Sequence, residues 1–138
     1  MQRVISSFIA GACFLASTCA QAQGSFGSSF GTPELLPPEQ AFVVSQPEAD
    51  VIVITIAEGT YLYDERTMVQ NDSGDILKTQ RSESTIYDDP LFGPTPIHKK
   101  ALRMKVSEAP NLMVLTYQGC ADIGFCYPPQ QTELSFSR

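Results

Sequence analysis

The chain has 138 residues, 43% of them apolar, with no tryptophan and a formal net charge of −6. That length supports one modest core, and an acidic chain without a basic run argues against nucleic acid and anionic membranes as partners. No segment beyond the N-terminus approaches the roughly 20 apolar residues that a membrane helix needs.

Residues 1–22 read as a cleaved secretory signal. Met1-Gln2-Arg3 is a short basic start, Val4 to Ala20 is almost entirely apolar or small, and Ala20-Gln21-Ala22 supplies the A-x-A pattern before the cut. Export is therefore expected. Cleavage removes Arg3, leaving eight basic residues against fifteen acidic ones, and takes Cys13 and Cys19 with it. The mature chain keeps Cys120 and Cys126, and two cysteines in an exported protein oxidise to each other unless something reduces them.

Residues 23–40 form a leader and lead-in segment, Gly/Ser-rich at first; the paired Pro37-Pro38 disfavours a helix and predicts an extended approach. The folded domain is expected over residues 41–138, with a first strand at Ala41–Ser45. Val51–Ile56 is β-branched at every position and predicts a strand. Glu58-Gly59 turns the chain into Thr60–Tyr63, which places Tyr61 and Tyr63 on one face, and Met68–Gln70 is read as an extension of that sheet. Asn71–Asp75 is a turn cluster followed by a polar run from Lys78 to Ser84.

Asp88-Asp89-Pro90-Leu91-Phe92-Gly93-Pro94-Thr95-Pro96 reads as a loop, in which the apolar Leu91 and Phe92 call for something to cover. The Asp88-Asp89 pair reads as solvated turn chemistry ahead of a carboxylate dyad. Ala101–Val106 alternates as a half-buried strand. Leu112–Tyr117 and Thr132–Ser137 flank a Gly/Pro-rich loop as the arms of a hairpin with both cysteines at its tip. Seven or eight short strands with regular turn signals predict an all-β, immunoglobulin-like antiparallel β-sandwich.

Two cysteines supply too few ligands for a zinc site, even with the lone His98, which reads as a surface residue beside Lys99-Lys100. A loop as short as that from Cys120 to Cys126 confers only about 2–2.5 kcal/mol on a disulfide. An exposed tip is open to an attacking thiolate. On the residues alone, a structural staple and an exchange-active disulfide stand level.

The stretch Tyr117-Gln118-Gly119-Cys120-Ala121-Asp122-Ile123-Gly124-Phe125-Cys126-Tyr127-Pro128-Pro129 resembles the cysteine hairpin of the N-terminal periplasmic domain of the DsbD family. Gly59-Thr60-Tyr61-Leu62-Tyr63, Asp88-Asp89-Pro90-Leu91-Phe92-Gly93 and Pro37-Pro38-Glu39-Gln40-Ala41-Phe42 resemble its tyrosine strand, cap loop and lead-in. The resemblance implies a monomeric thiol–disulfide relay without a bound cofactor or metal. Electrons would come from the thioredoxin-like C-terminal domain of DsbD and pass to thioredoxin-fold acceptors, a DsbC-like isomerase or a cytochrome c maturation thioredoxin. By position, Cys126 forms the mixed disulfide and Cys120 resolves it. Leu91 or Phe92 caps the pair, and Tyr61, Tyr63, Asp89 and Phe125 line the site. Asp89 and Asp122, with no lysine or arginine in either loop, are expected to disfavour the thiolate.

The cap departs from the family pattern at Pro90, where a second acidic residue is usual, and at Leu91, where phenylalanine is. The family's membrane helices and thioredoxin-like domain are expected on a separate membrane reductase or on a continuation of the chain. The competing reading is a non-enzymatic immunoglobulin-like binding module whose disulfide only locks a loop.

Overall fold

The computed structural model describes residues 35–136, so the expected signal peptide and most of the leader lie outside the described residues. A single helical turn, α1 (Pro38–Ala41), precedes twelve short strands. They are β1 (Phe42–Glu48), β2 (Val51–Ile56), β3 (Thr60–Tyr63), β4 (Met68–Asn71), β5 (Thr79–Arg81), β6 (Thr85–Asp89), β7 (Gly93–His98), β8 (Ala101–Val106), β9 (Leu112–Tyr117), β10 (Gly119–Ala121), β11 (Phe125–Cys126) and β12 (Gln130–Ser135). All pairings are antiparallel, in sheets ordered β1-β2-β8-β5, β11-β10-β3-β7-β6 and β12-β9-β4.

The main core follows from alternation. Leu102, Met104 and Val106 of β8 are buried while Ala101, Arg103 and Lys105 are exposed, and Met113, Leu115 and Tyr117 of β9 are buried in the same rhythm. With Ile52, Ile54 and Ile56 of β2, Phe42, Val69 and Leu134, they join the four-stranded and three-stranded sheets in one apolar layer. This is the sandwich expected from the strand pattern.

β3 departs from simple alternation because both its faces are covered. Leu62 enters the main core, while Tyr61 and Tyr63 enter a second buried cluster with Ile97 and Cys120 on the opposite face. That second cluster holds Cys120, with Cys126 and Tyr87 packed against it.

Several local expectations are corrected. The lead-in is not extended throughout: Pro38 opens α1 at a position where its missing N–H costs nothing. The proline-rich stretch after Asp89 is β7, which pairs with β6 and leaves only Pro90–Phe92 as a tip. β7 keeps its prolines at Pro94 and Pro96 and pairs with β3 only at Ile97 and His98, so neither proline is asked for a ladder bond to β3. β4 does not extend the sheet of β3. The turn at Asp64–Thr67, held by Thr67 N–H donating to Asp64 O at 3.1 Å, carries the chain across to pair with β9. His98 is not on the surface: it is 3% exposed, with Nε2 2.8 Å from Asp64 Oδ1, because it ends β7 inside the sheet while Lys99 and Lys100 take the exposed turn.

Candidate active site

β10 and β11 bring Cys120 directly opposite Cys126, with their Cα atoms 3.9 Å apart and their sulfurs joined. The tip between them is Asp122-Ile123-Gly124, and Gly124 has a φ of 89°, a conformation that favours glycine. The hairpin is closed by backbone as well as sulfur: Tyr127 N–H donates to Gly119 O at 3.0 Å and Gly124 N–H to Ala121 O at 2.9 Å. Gly119 is required for a different reason. A Cβ there would collide with the Tyr61 carbonyl oxygen and the Phe42 ring, so only glycine lets β10 lie this close to β3.

The two sulfurs are not equivalent. Cys120 is completely buried, and the Tyr63 hydroxyl stands 3.1 Å from its Sγ. Cys126 is partly exposed and borders a pocket of about 120 Å³ that Tyr61, Tyr87, Leu91 and Ala121 also line. Of the two sulfur-bearing residues, Cys126 is the one that borders the pocket, and Cys120 is the one sealed behind it.

Behind the disulfide lies one carboxylate. Asp89 is 3% exposed, and its Oδ2 accepts from the Tyr61 hydroxyl at 2.8 Å and the Tyr63 hydroxyl at 2.7 Å. Its Oδ1 accepts from the backbone N–H groups of Leu91 at 2.8 Å and Phe92 at 3.2 Å. Burial works to raise the Asp89 pKa, but the four donated hydrogen bonds outweigh it and hold the carboxyl below the usual carboxylate range. The same burial, reinforced by Asp89, pushes Tyr63 up to about 12 and raises Tyr61 further. The array is an ionised carboxylate ringed by two neutral phenols, one of them against the buried sulfur. The solvated-turn reading thus fails for Asp89, although Asp88 is exposed.

The tip residues divide. Leu91 is 68% exposed and borders the pocket beside Cys126. Phe92 is turned the other way, with its ring 5.7 Å from the Tyr63 ring, edge to face, and the Arg66 guanidinium 4.1 Å from its centre.

The structure brings Cys120, Cys126, Tyr61, Tyr63, Asp89, Leu91 and Phe92 together. Phe125 stands apart: it alternates with Cys126 along β11 and packs its half-exposed ring 5.2 Å from Tyr127 instead. The site also contains residues that were not anticipated. Tyr87 packs 5.1 Å from Tyr61, and its place two residues before Asp89 on one strand was a usable signal. Cations reach the site from outside both loops: Arg66 from the turn after β3, and Lys99, 3.6 Å from Asp122, from the turn after β7. Neither position has a marker in the local sequence.

No metal-binding group of three or more ligands occurs among the described residues, and no helix among them is long and apolar enough to cross a membrane.

Comparison with known proteins converges on one answer. Residues 32–137 match the family model described as thiol:disulfide interchange protein DsbD, N-terminal. The DsbD of Neisseria meningitidis serogroup A is 37% identical over 113 residues, which cover 75% of this chain and 19% of that protein. The DsbD of Escherichia coli K12 is 30% identical over 114 residues, covering 78% of this chain and 20% of that protein. The chain thus spans about a fifth of the length of the curated relatives it matches. Among solved structures, the reduced N-terminal domain of Neisseria meningitidis DsbD superposes with a TM-score of 0.66 at 34% identity, covering 75% of this chain and 90% of that one. The same organism's complex between the DsbD N-terminal and PilB N-terminal domains gives a TM-score of 0.60 at 32% identity, over 74% of this chain and 87% of that one. With the family model running from the lead-in to the last strand, the immunoglobulin-like sandwich and its cysteine hairpin have a shared origin: this chain belongs to the family of DsbD N-terminal domains.

Proposed function

We propose that the domain is a two-electron relay in the periplasm, reduced by one thioredoxin-fold protein and oxidised by another through Cys120 and Cys126. The observation that carries this reading is the unequal burial of the two sulfurs in a single disulfide. A donor thiolate attacks Sγ of Cys126, forming a mixed disulfide and expelling Cys120 as a thiolate, which takes up a proton. The donor's second thiol then attacks its own sulfur in the mixed disulfide. The donor leaves oxidised, and Cys126 leaves reduced. With an acceptor the steps reverse: the Cys126 thiolate attacks the acceptor disulfide, and Cys120 resolves the product and restores the bridge.

Asp89 and the tyrosines support this order. An ionised buried carboxylate beside the thiols opposes a second negative charge, so free reduced Cys126 stays protonated until a partner arrives. A Cys126 thiol that ionises well below the usual thiol range would remove this part of the proposal. The tip at Leu91 and Phe92 acts as a cap over Cys126 that a partner displaces. The domain is one station of the relay, and its sustained turnover needs a reductase to refill it.

Trapping tests the assignment. Incubated with a thioredoxin-fold protein whose C-x-x-C pair is oxidised, Cys120→Ser should accumulate a mixed disulfide through Cys126, and Cys126→Ser should accumulate none. Equal trapping by both variants would refute the roles. A double Cys→Ser variant that still binds the partner, together with no trapping by either single variant, would favour a binding module.

A further inference from the structure

The cap reading leaves open what holds the cap shut, and the surroundings of Phe92 answer it. Arg66 presents its guanidinium to two aromatic rings, 4.1 Å from the centre of Phe92 and 5.2 Å from that of Tyr63. Its Nη1 donates to Gln118 Oε1 at 2.8 Å. Among the described residues it forms no ion pair with a carboxylate, so the two rings and one amide are what fix it. Gln118 is itself held at two points: its side-chain amide donates to Tyr127 O at 3.0 Å and its backbone carbonyl accepts from Tyr63 N–H at 3.0 Å. Arg66 is thus a post anchored on the frame of the hairpin, reaching over to one face of Phe92.

Leu91, the neighbour of Phe92, has no such restraint on its side chain and borders the Cys126 pocket. Both residues hang by their backbone N–H groups from Asp89 Oδ1. We infer that Arg66 is the latch of the cap: by holding the Phe92 ring it keeps Leu91 placed over Cys126, and it sets how often the pocket opens to a thiol. Arg66 is a positioning residue here, and the inference rests on the cap reading above.

The reporter is the rate at which dithiothreitol reduces the oxidised domain. A cation–π contact of partly exposed groups is worth about a two- to fivefold change in an equilibrium, so Arg66→Gln should speed reduction about two- to fivefold. The equilibrium potential should not move, because the latch acts on access and not on the disulfide. The sign is diagnostic. Loss of a cation near the site would, by electrostatics alone, slow an attacking thiolate, whereas loss of a latch speeds it. Arg66→Lys keeps the charge but loses the planar fork, and its rate should fall between wild type and Arg66→Gln. Phe92→Ala should also speed reduction, and the Arg66→Gln/Phe92→Ala double variant should be no faster than Phe92→Ala alone.

The inference is overturned if Arg66→Gln leaves the rate unchanged or lowers it, or if the two single effects multiply in the double variant. Leu91→Ala separates this failure from that of the cap. Acceleration by Leu91→Ala without acceleration by Arg66→Gln removes the latch and leaves the cap standing; no acceleration by any of the variants removes both.

Discussion

Reduction of the Cys120–Cys126 disulfide should weaken this fold without opening it. The bridge joins residues six apart in sequence, a loop for which chain entropy accounts for about 2.3 kcal/mol at 25 °C. Closure of the hairpin does not depend on the sulfurs, since the Tyr127-to-Gly119 and Gly124-to-Ala121 backbone hydrogen bonds remain. β10 is held to β3 as well, through the Gly119–Leu62, Cys120–Tyr61 and Ala121–Thr60 pairs. Urea unfolding of the oxidised and reduced domain should therefore show the same slope, with free energies about 2.3 kcal/mol apart. By the thermodynamic cycle, that difference is also the extent to which the fold favours the disulfide over the dithiol, about 50 mV in its potential. The relay reading expects a potential above about −300 mV, the level below which structural disulfides generally lie. Equilibration with glutathione measures it. A potential far below that level, a changed slope, or a stability loss beyond about 4 kcal/mol would show a staple and sink the relay argument.

Asp89 should give the domain an acid-sensitive component of stability. Its folded-state pKa lies below 3.8, so its contribution is fully present above that pH and is lost as pH falls through the folded value. The stability gap between wild type and Asp89→Asn, read from urea midpoints, should narrow between pH 7 and pH 3; a constant gap would mean that the four hydrogen bonds do not favour the ionised form. Asp64, held low against its burial by His98 and Arg81, should add to the same acid limb, so His98→Ala should flatten it in part. Gly119→Ala should cost about 3 kcal/mol through overpacking against the Tyr61 backbone and Phe42. Gly59→Ala, with a φ of 77° and open space around it, should cost about 1 kcal/mol, and a reversal of that order would contradict the close approach of β10 to β3.

What could be read before folding, and what could not, separates along physical lines. The strands at Val51–Ile56 and Ala101–Val106 announce themselves because β-branching and alternation are local properties, and the structure buries them in the expected rhythm. The cysteine hairpin is legible for the same reason: its arms, glycines and paired cysteines lie within one short stretch of chain. Asp89 is a different case. Its neighbours in sequence, Asp88 and Pro90, suggest a wet turn, and only the register of β6 against β7, with β3 alongside, sets its carboxylate beneath two tyrosine hydroxyls that come from 26 and 28 residues away. Arg66 is harder still. Nothing in Asp64-Glu65-Arg66-Thr67 sets that arginine apart from its polar neighbours, and its meaning arises where the turn after β3, the tip after β6 and the link between β9 and β10 converge on it. The hairpin supplies sulfur chemistry that local sequence can encode; in the proposed relay, control over access to it is assembled from segments that meet only in the folded domain. Substitutions near the cysteines should therefore alter the exchange itself, while those at Arg66, Gln118 and Phe92 should alter its rate with small thiols and leave its equilibrium in place.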